Sequence, residues 1–214
     1  FIENLPINKS KILGIGIGMP GFIDPQKGIN YSFLELPKSE ESITEFLSAI
    51  TNLPVFIDND SSLIALAELK FGKAKNKKNV MVINIGWGVG LGMIINGELY
   101  RGNIGFSGEF SHIPLFTNNI LCSCGKSGCL ETETSLLVLI AKVKDAIEAG
   151  RVSRLHDTPF EKPEEAYRMI IKCALDGDTL AVELLSEIGY KIGRGISILI
   201  HLLNPELIVL SGRG

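Results

Sequence analysis

The period of hydrophobic and polar positions changes several times along this chain, and each change marks an element. From Lys11 to Gly18, Ile or Leu alternates with Gly, which reads as a buried strand running into a Met19-Pro20-Gly21 turn. Ser39 is placed to cap a helix reaching about Thr51, with Glu40, Glu41 and Glu45 favouring its N-terminal half. Pro54–Asp58 is a short strand. Leu63, Ile64, Ala67 and Phe71 then form the apolar stripe of a helix over Ser61–Phe71, ended by Gly72. Val80–Ile85 and Leu91–Ile95 are strands flanking the glycine turn Gly86-Trp87-Gly88-Val89-Gly90, and Asn96-Gly97 supplies a type I′ turn before Glu98–Tyr100. Irregular, glycine-rich sequence runs from there to Cys129. Helical patterns follow at Glu131–Ala149, Pro163–Leu175 and Asp178–Leu203, the last stopped by Asn204-Pro205. Leu207–Leu210 is a buried strand before Ser211-Gly212-Arg213-Gly214. Strands alternating with helices predict an α/β protein with a largely parallel or mixed sheet.

Composition narrows the class. The chain has 214 residues, 45% hydrophobic and 21% charged, with 23 Gly. That is the make-up of a globular protein of one or two domains, and it excludes a disordered, collagen-like or disulfide-stapled chain. A formal net charge of −3 argues against a free-standing nucleic-acid binder. The longest strongly apolar stretch, Ile196–Leu203, is interrupted by His201 and falls far short of a bilayer span, so no membrane association is expected. Phe1–Lys11 holds charged residues and Pro6, unlike a signal peptide, and a cytoplasmic location is expected. Five lysines between Lys70 and Lys78 lack aromatic or arginine company and read as a solvated connector.

Two apparent motifs fail on context. Gly16-Ile-Gly-Met-Pro-Gly21 satisfies the dinucleotide fingerprint, but the turn Phe22-Ile-Asp-Pro25 follows it where a helix must begin. Gly105–Glu109 misses the nucleophile elbow because Glu109 replaces its final Gly. The strongest signal is His112 followed by Cys122-Ser-Cys124-Gly-Lys-Ser-Gly-Cys129. Three thiolates and one imidazole make a closed tetrahedral set for a structural zinc, around which Gly125 and Gly128 let the loop curl. Cys173, alone in an apolar helical pattern, reads as a small core residue. His201 reads as a core or interface residue, and His156 sits in a polar loop. Glu109 and Glu131 flank the metal residues. Asn59 and Asp60 lie where a strand gives way to a helix, a position that serves a cleft and a helix cap equally well. The amides of Gly86, Gly88 and Gly90 can approach a phosphate, although ligand-free hairpins use such glycines too.

Taken together, Gly16–Gly21, Asn59-Asp60, the hairpin Ile85–Gly97, Gly108–His112, Cys122–Glu131 and the final strand with Ser211-Gly212 resemble the ROK family of bacterial repressors, open reading frames and sugar kinases. The resemblance implies an actin-like ATPase (ribonuclease H-like) fold, with two lobes, a cleft between them and a zinc-stapled loop. Residues 1–75 would be the remainder of an N-terminal lobe and 76–214 a larger C-terminal lobe, together a fragment of the full fold. An N-terminal Asp-x-Gly phosphate hairpin and a C-terminal return helix would lie outside the chain. The resemblance also assigns Asn59, Asp60, Glu109, His112 and Glu131 to sugar binding, Asp60 to the role of general base, and His112, Cys122, Cys124 and Cys129 to zinc. Gly212 would lie near adenosine.

One departure divides the functional readings. Kinases of the family carry Thr between the glycines of the second phosphate loop, where this chain has Trp87. The preferred reading is the sugar- or amino-sugar-sensing domain of a transcriptional regulator, a homodimer or homotetramer that reaches DNA only through an N-terminal domain outside this chain. The alternative is an ATP- and Mg2+-dependent glucokinase or N-acetylhexosamine kinase.

Overall fold

The computed structural model of the protein describes residues 11–33 and 42–213. They group into two compact units. The first takes the described residues up to Val82 together with Gly92–Gly108, and the second takes Ile83–Leu91 and the described residues from Glu109 onward.

In the first unit, β1 (Ile15–Met19) pairs in parallel with β4 (Val55–Asn59), setting Ile17 opposite Ile57 and Met19 opposite Asn59. The buried strand expected over Lys11–Gly18 is shorter and one-sided: the isoleucines of β1 are partly buried while Gly16 and Gly18 are exposed. Between them a small hairpin of β2 (Ile23–Asp24) and β3 (Ile29–Asn30) precedes α1 (Ile43–Thr51). Ser39, Glu40 and Glu41 lie outside the described residues, and the cap of α1 is Ser42 instead of Ser39. The Glu45 amide donates to Ser42 Oγ at 3.2 Å and the Ser42 amide to Glu45 Oε2 at 2.8 Å, a reciprocal capping box.

Helix α2 (Asp60–Phe71) buries Ser61, Ser62 and Ala65, whereas Phe71 of the expected apolar stripe is 89% exposed. The reason is a close approach. A Cβ on Gly92 would stand 2.4 Å from Ala65 Cβ and 2.5 Å from Ser61 O, so this face admits only small side chains. Lys70 in the last turn of α2 and Lys73, Lys75 and Lys78 in the turns that follow are exposed.

Strands β5 (Val80–Ile85), β6 (Val89–Ile95), β7 (Glu98–Tyr100) and β8 (Leu207–Gly212) make a four-stranded sheet in the order β7-β6-β5-β8. Asn96 and Gly97 have φ of 56° and 83°, as the expected type I′ turn requires. The second unit adds α3 (Glu131–Thr134), α4 (Leu136–Glu148), α5 (Pro163–Leu175) and α6 (Thr179–Leu203). Leu139, Ile140 and Val143 of α4 pack with Ala166 and Ile170 of α5 and with Leu180, Leu184, Ile188 and Ile192 of α6. Cys173 lies partly buried against this cluster.

The single helix expected over Glu131–Ala149 is broken at Ser135. Its ψ of 156° is extended, and its Oγ accepts the Val138 amide to cap α4. His201 is exposed on α6, with Nδ1 2.8 Å from Ser197 O, so its reading as a core residue is set aside.

Candidate functional site

The metal-ligand candidates converge. His112 ends a short 3-10 turn (Phe110–His112), and the loop after it returns on itself through bridges that pair Pro114 with Cys129 and Leu121 with Ser127. Its tip is closed by the Cys122 amide on Lys126 O at 2.7 Å and the Gly125 amide on Cys122 O at 2.9 Å. Gly125 and Gly128 have φ of 85° and 73°, and a Cβ on Gly128 would lie 1.9 Å from Phe116 O. Only glycine passes there.

The ligand atoms of His112, Cys122, Cys124 and Cys129 all lie within 4.8 Å of one another. Cys124 Sγ is 3.6 Å from Cys129 Sγ, and Cys122 Sγ is 3.4 Å from His112 Nδ1. An ion bound tetrahedrally by thiolates at about 2.3 Å separates two sulfurs by about 3.8 Å and a sulfur from an imidazole nitrogen by about 3.6 Å. The donor set fits such an ion. Burial, with the neighbouring thiols adding to it, pushes the Cys129 thiol up to about 12. Burial also opposes ionisation of Cys124, but the Lys126 amide and hydrogen bonds from Cys122 and Cys129 outweigh it and lower its pKa. A cation held by the three sulfurs would favour their thiolate forms, and its binding would release their protons.

His112 presents its other nitrogen to Glu109: Nε2 lies 3.8 Å from Oε2. That separation is longer than a hydrogen bond and sets the carboxylate as an electrostatic neighbour of the ring. Glu131 opens α3 two residues after Cys129, and its Oε2 would lie 3.4 Å from a Cβ on Gly88. The glycine turn is closed on itself by the Gly86 amide, which donates to Gly88 O at 2.8 Å. Gly212, at φ 106°, would set a Cβ 2.1 Å from Ile85 O, so close backbone packing alone accounts for that glycine.

Asn59 and Asp60 belong to the first unit. Asn59 is the N-cap of α2: its Oδ1 accepts the amides of Ser61 at 2.9 Å and Ser62 at 3.2 Å, while Nδ2 donates to Gly21 O at 3.2 Å. Asp60 holds the first helical position, and its Oδ1 accepts the Ser61 amide at 2.8 Å. The capping alternative is therefore realised by Asn59, and Asp60 keeps its second carboxylate oxygen outside this hydrogen bond.

Two features were not legible in the sequence. Arg101 donates to Asp58 Oδ2 from Nη2 at 2.7 Å and Nε at 3.1 Å, beside a cavity of about 440 Å³ lined by Gly16, Phe56 and Asn103. Glu133 gathers Asn118, Lys142 and Lys191 around one carboxylate. Both join residues too far apart for any local spacing to reveal.

Residues 1–213 match the ROK family. This chain belongs to that family. A xylose repressor from Caldicellulosiruptor bescii is 31% identical over 99% of this chain and 53% of its own length. A solved ROK-family transcriptional regulator, a homologue of the Escherichia coli MLC protein, superposes with a TM-score of 0.76 at 34% identity, over 92% of this chain and 49% of its own. A ROK-family glucokinase from Streptomyces griseus, solved with glucose and AMPPNP, superposes with a TM-score of 0.79 at 29% identity, over 94% of this chain and 66% of its own. The chain thus spans about half the length of the regulators it matches. The shared α/β architecture is the actin-like fold of ROK regulators and kinases, and no helix among the described residues is long and apolar enough to cross a membrane.

Proposed function

We propose that this chain is the sugar-sensing part of a ROK-family transcriptional regulator and carries a structural zinc on His112, Cys122, Cys124 and Cys129. Trp87 carries the reading. Its indole packs against the apolar core of the second unit together with Ile85. It stands where the family resemblance puts a Thr in contact with nucleotide phosphate. An indole offers one N–H and no hydroxyl, and this ring lies partly buried against the core, which leaves it a poor substitute for the phosphate-binding Thr. Similarity to a xylose repressor and to a solved regulator supports the same reading.

The four-ligand shell leaves no open position for water, which favours a structural ion over a catalytic one. When bound, zinc supplies the positive charge that lets the thiols stay ionised. His112 keeps Nε2 toward Glu109 and the ligand. Asn59, Asp60, Glu109, His112 and Glu131 read sugar hydroxyls; polar groups that pair with a hydroxyl discriminate strongly against analogues lacking it. The preferred ligands are neutral aldoses and amino sugars, with xylose first to be tried. Sugar binding shifts a homodimeric or homotetrameric, cytoplasmic regulator between states of different operator affinity, and a helix-turn-helix outside this chain contacts DNA.

A second reading is favoured by Asp60. A carboxylate oriented by the amide of the next residue, Ser61, is suited to take a proton from a sugar hydroxyl, as a kinase requires. ATP and Mg2+ would then bind near Gly86, Gly88, Gly90 and Gly212.

The test is calorimetry with xylose, glucose, N-acetylglucosamine and N-acetylmannosamine, paired with an ATP-turnover assay on the same sugars. The expected result is saturable binding of one sugar, abolished by Glu131→Gln, with no ATP consumed. Sugar-dependent ATP turnover that disappears in Asp60→Ala overturns the regulator reading in favour of the kinase.

A further inference from the structure

Four side chains of the second unit close a ring of alternating charge. Lys142 Nζ lies 3.1 Å from Glu133 Oε2 and 2.8 Å from Glu187 Oε1, and Lys191 Nζ donates to the same two oxygens. The side chain of Glu133 is 9% exposed and that of Lys191 18%, against 40% for Glu187, so Glu133 and Lys191 form the buried corner. Burial opposes ionisation of Glu133, but hydrogen bonds from Lys191, Lys142 and Asn118 outweigh it and hold the carboxyl below its usual range. Burial likewise opposes the charge on Lys191, and the two carboxylates outweigh it and raise its pKa.

The other oxygen of Glu133 leaves the ring. It accepts Asn118 Nδ2, from the segment that leads into the metal loop. Asn118 Oδ1 accepts the Ile120 amide at 3.1 Å, and Ile120 O accepts the amide of Gly128 at 3.1 Å, one residue before Cys129. The same stem is held a second time by Phe116, whose ring lies 5.8 Å from Lys191 Nζ and 5.4 Å from Arg194 Cζ. Glu133 itself stands on α3, the stem that leaves the loop after Cys129.

We propose that Glu133 is a positioning residue that clamps both stems of the metal loop to α4 and α6, and thereby sets how firmly the loop retains its ion. The inference rests on the metal reading given under Proposed function. An apolar residue at this position would pack against the helices equally well. Receiving one amide and two ammonium groups at once takes a carboxylate.

The test loads purified chain with zinc, verifies the stoichiometry, and follows metal release to a chromogenic chelator alongside the thermal midpoint. Glu133→Gln and Asn118→Ala are expected to release zinc roughly tenfold faster than wild type, the lower end of what loss of an outer-shell partner costs in metal affinity. Glu187→Gln removes a ring carboxylate without touching Asn118, so it lowers the midpoint and leaves the release rate unchanged. Wild-type release rates in Asn118→Ala and in folded Glu133→Gln overturn the inference, as does a Glu187→Gln chain that sheds zinc as fast as Glu133→Gln. Should Glu133→Gln fail to fold, the exposed Asn118→Ala decides alone. A wild-type chain that takes up no zinc overturns the metal reading itself, and the clamp with it.

Discussion

Gly195 of α6 lies directly against Phe110: a Cβ there would stand 2.7 Å from Phe110 Cζ and 3.1 Å from Leu130 Cδ2. Phe110 is 2% exposed and sits between Glu109 and His112, so the missing side chain on α6 makes the seat for the turn that carries them. Gly195→Ala gains helix propensity but overpacks this seat, and a net loss of about 1–2 kcal/mol in urea unfolding is expected. Gly193→Ala is the control. Nothing lies within 4 Å of its Cβ position, and it should stabilise the chain by about 0.5–1 kcal/mol. Equal effects at the two glycines would contradict the close contact.

Elemental analysis of freshly purified chain is expected to find one zinc per chain. Cys124→Ser should lose the metal, and a strong chelator should lower the thermal midpoint of wild type, because the loop is held by its ligands and backbone turns more than by apolar burial. A chelator-insensitive midpoint in a chain shown to carry stoichiometric zinc would remove the structural role.

Acid should destabilise the chain in a defined window. Burial works against ionised Asp178, yet the amides of Arg154 and Ala181 and the Ser153 hydroxyl outweigh it and lower its pKa. A carboxyl with a folded pKa below its unfolded value contributes stability that is complete above the ordinary range, about pH 4, and lost as pH falls through the folded value. Unfolding free energy should therefore decline below about pH 4. Asp178→Asn, which also weakens the cap of α6, should cost about 1–3 kcal/mol at neutral pH and flatten that decline. A pH profile unchanged by the substitution would count against this assignment.

Asn59→Ala removes the acceptor for two α2 amides and the donor to Gly21 O. A loss of about 1 kcal/mol in stability is expected, with weaker sugar binding measured by calorimetry on the folded fraction. Asn59→Asp keeps the acceptor and should recover most of the stability without recovering binding. Full recovery of both would mean that Asn59 serves the helix alone.

The features legible in the sequence were those whose physics is local. The four candidate metal ligands sit between His112 and Cys129, and the Asn96-Gly97 turn needs two residues that tolerate positive φ. The break at Ser135 is hidden in the sequence because apolar residues continue past it and mask the cap that splits α3 from α4. The buried face of α2 differs from its apolar stripe because its small residues answer to Gly92, which is remote in sequence. Arg101 on Asp58 and the partners of Glu133 are side-chain meetings that the fold alone creates.

The ring around Glu133 also bears on ionic strength. Its four charges sum to zero and its inner corner is shielded from solvent, so mobile ions screen it far less than they screen a surface pair such as Arg151 with Glu183, whose side chains are 49% and 57% exposed. Concentrated salt should strip the outer pairs first and leave the loop seated, so that brine and acid, which both weaken ion pairs, take this protein apart by different routes.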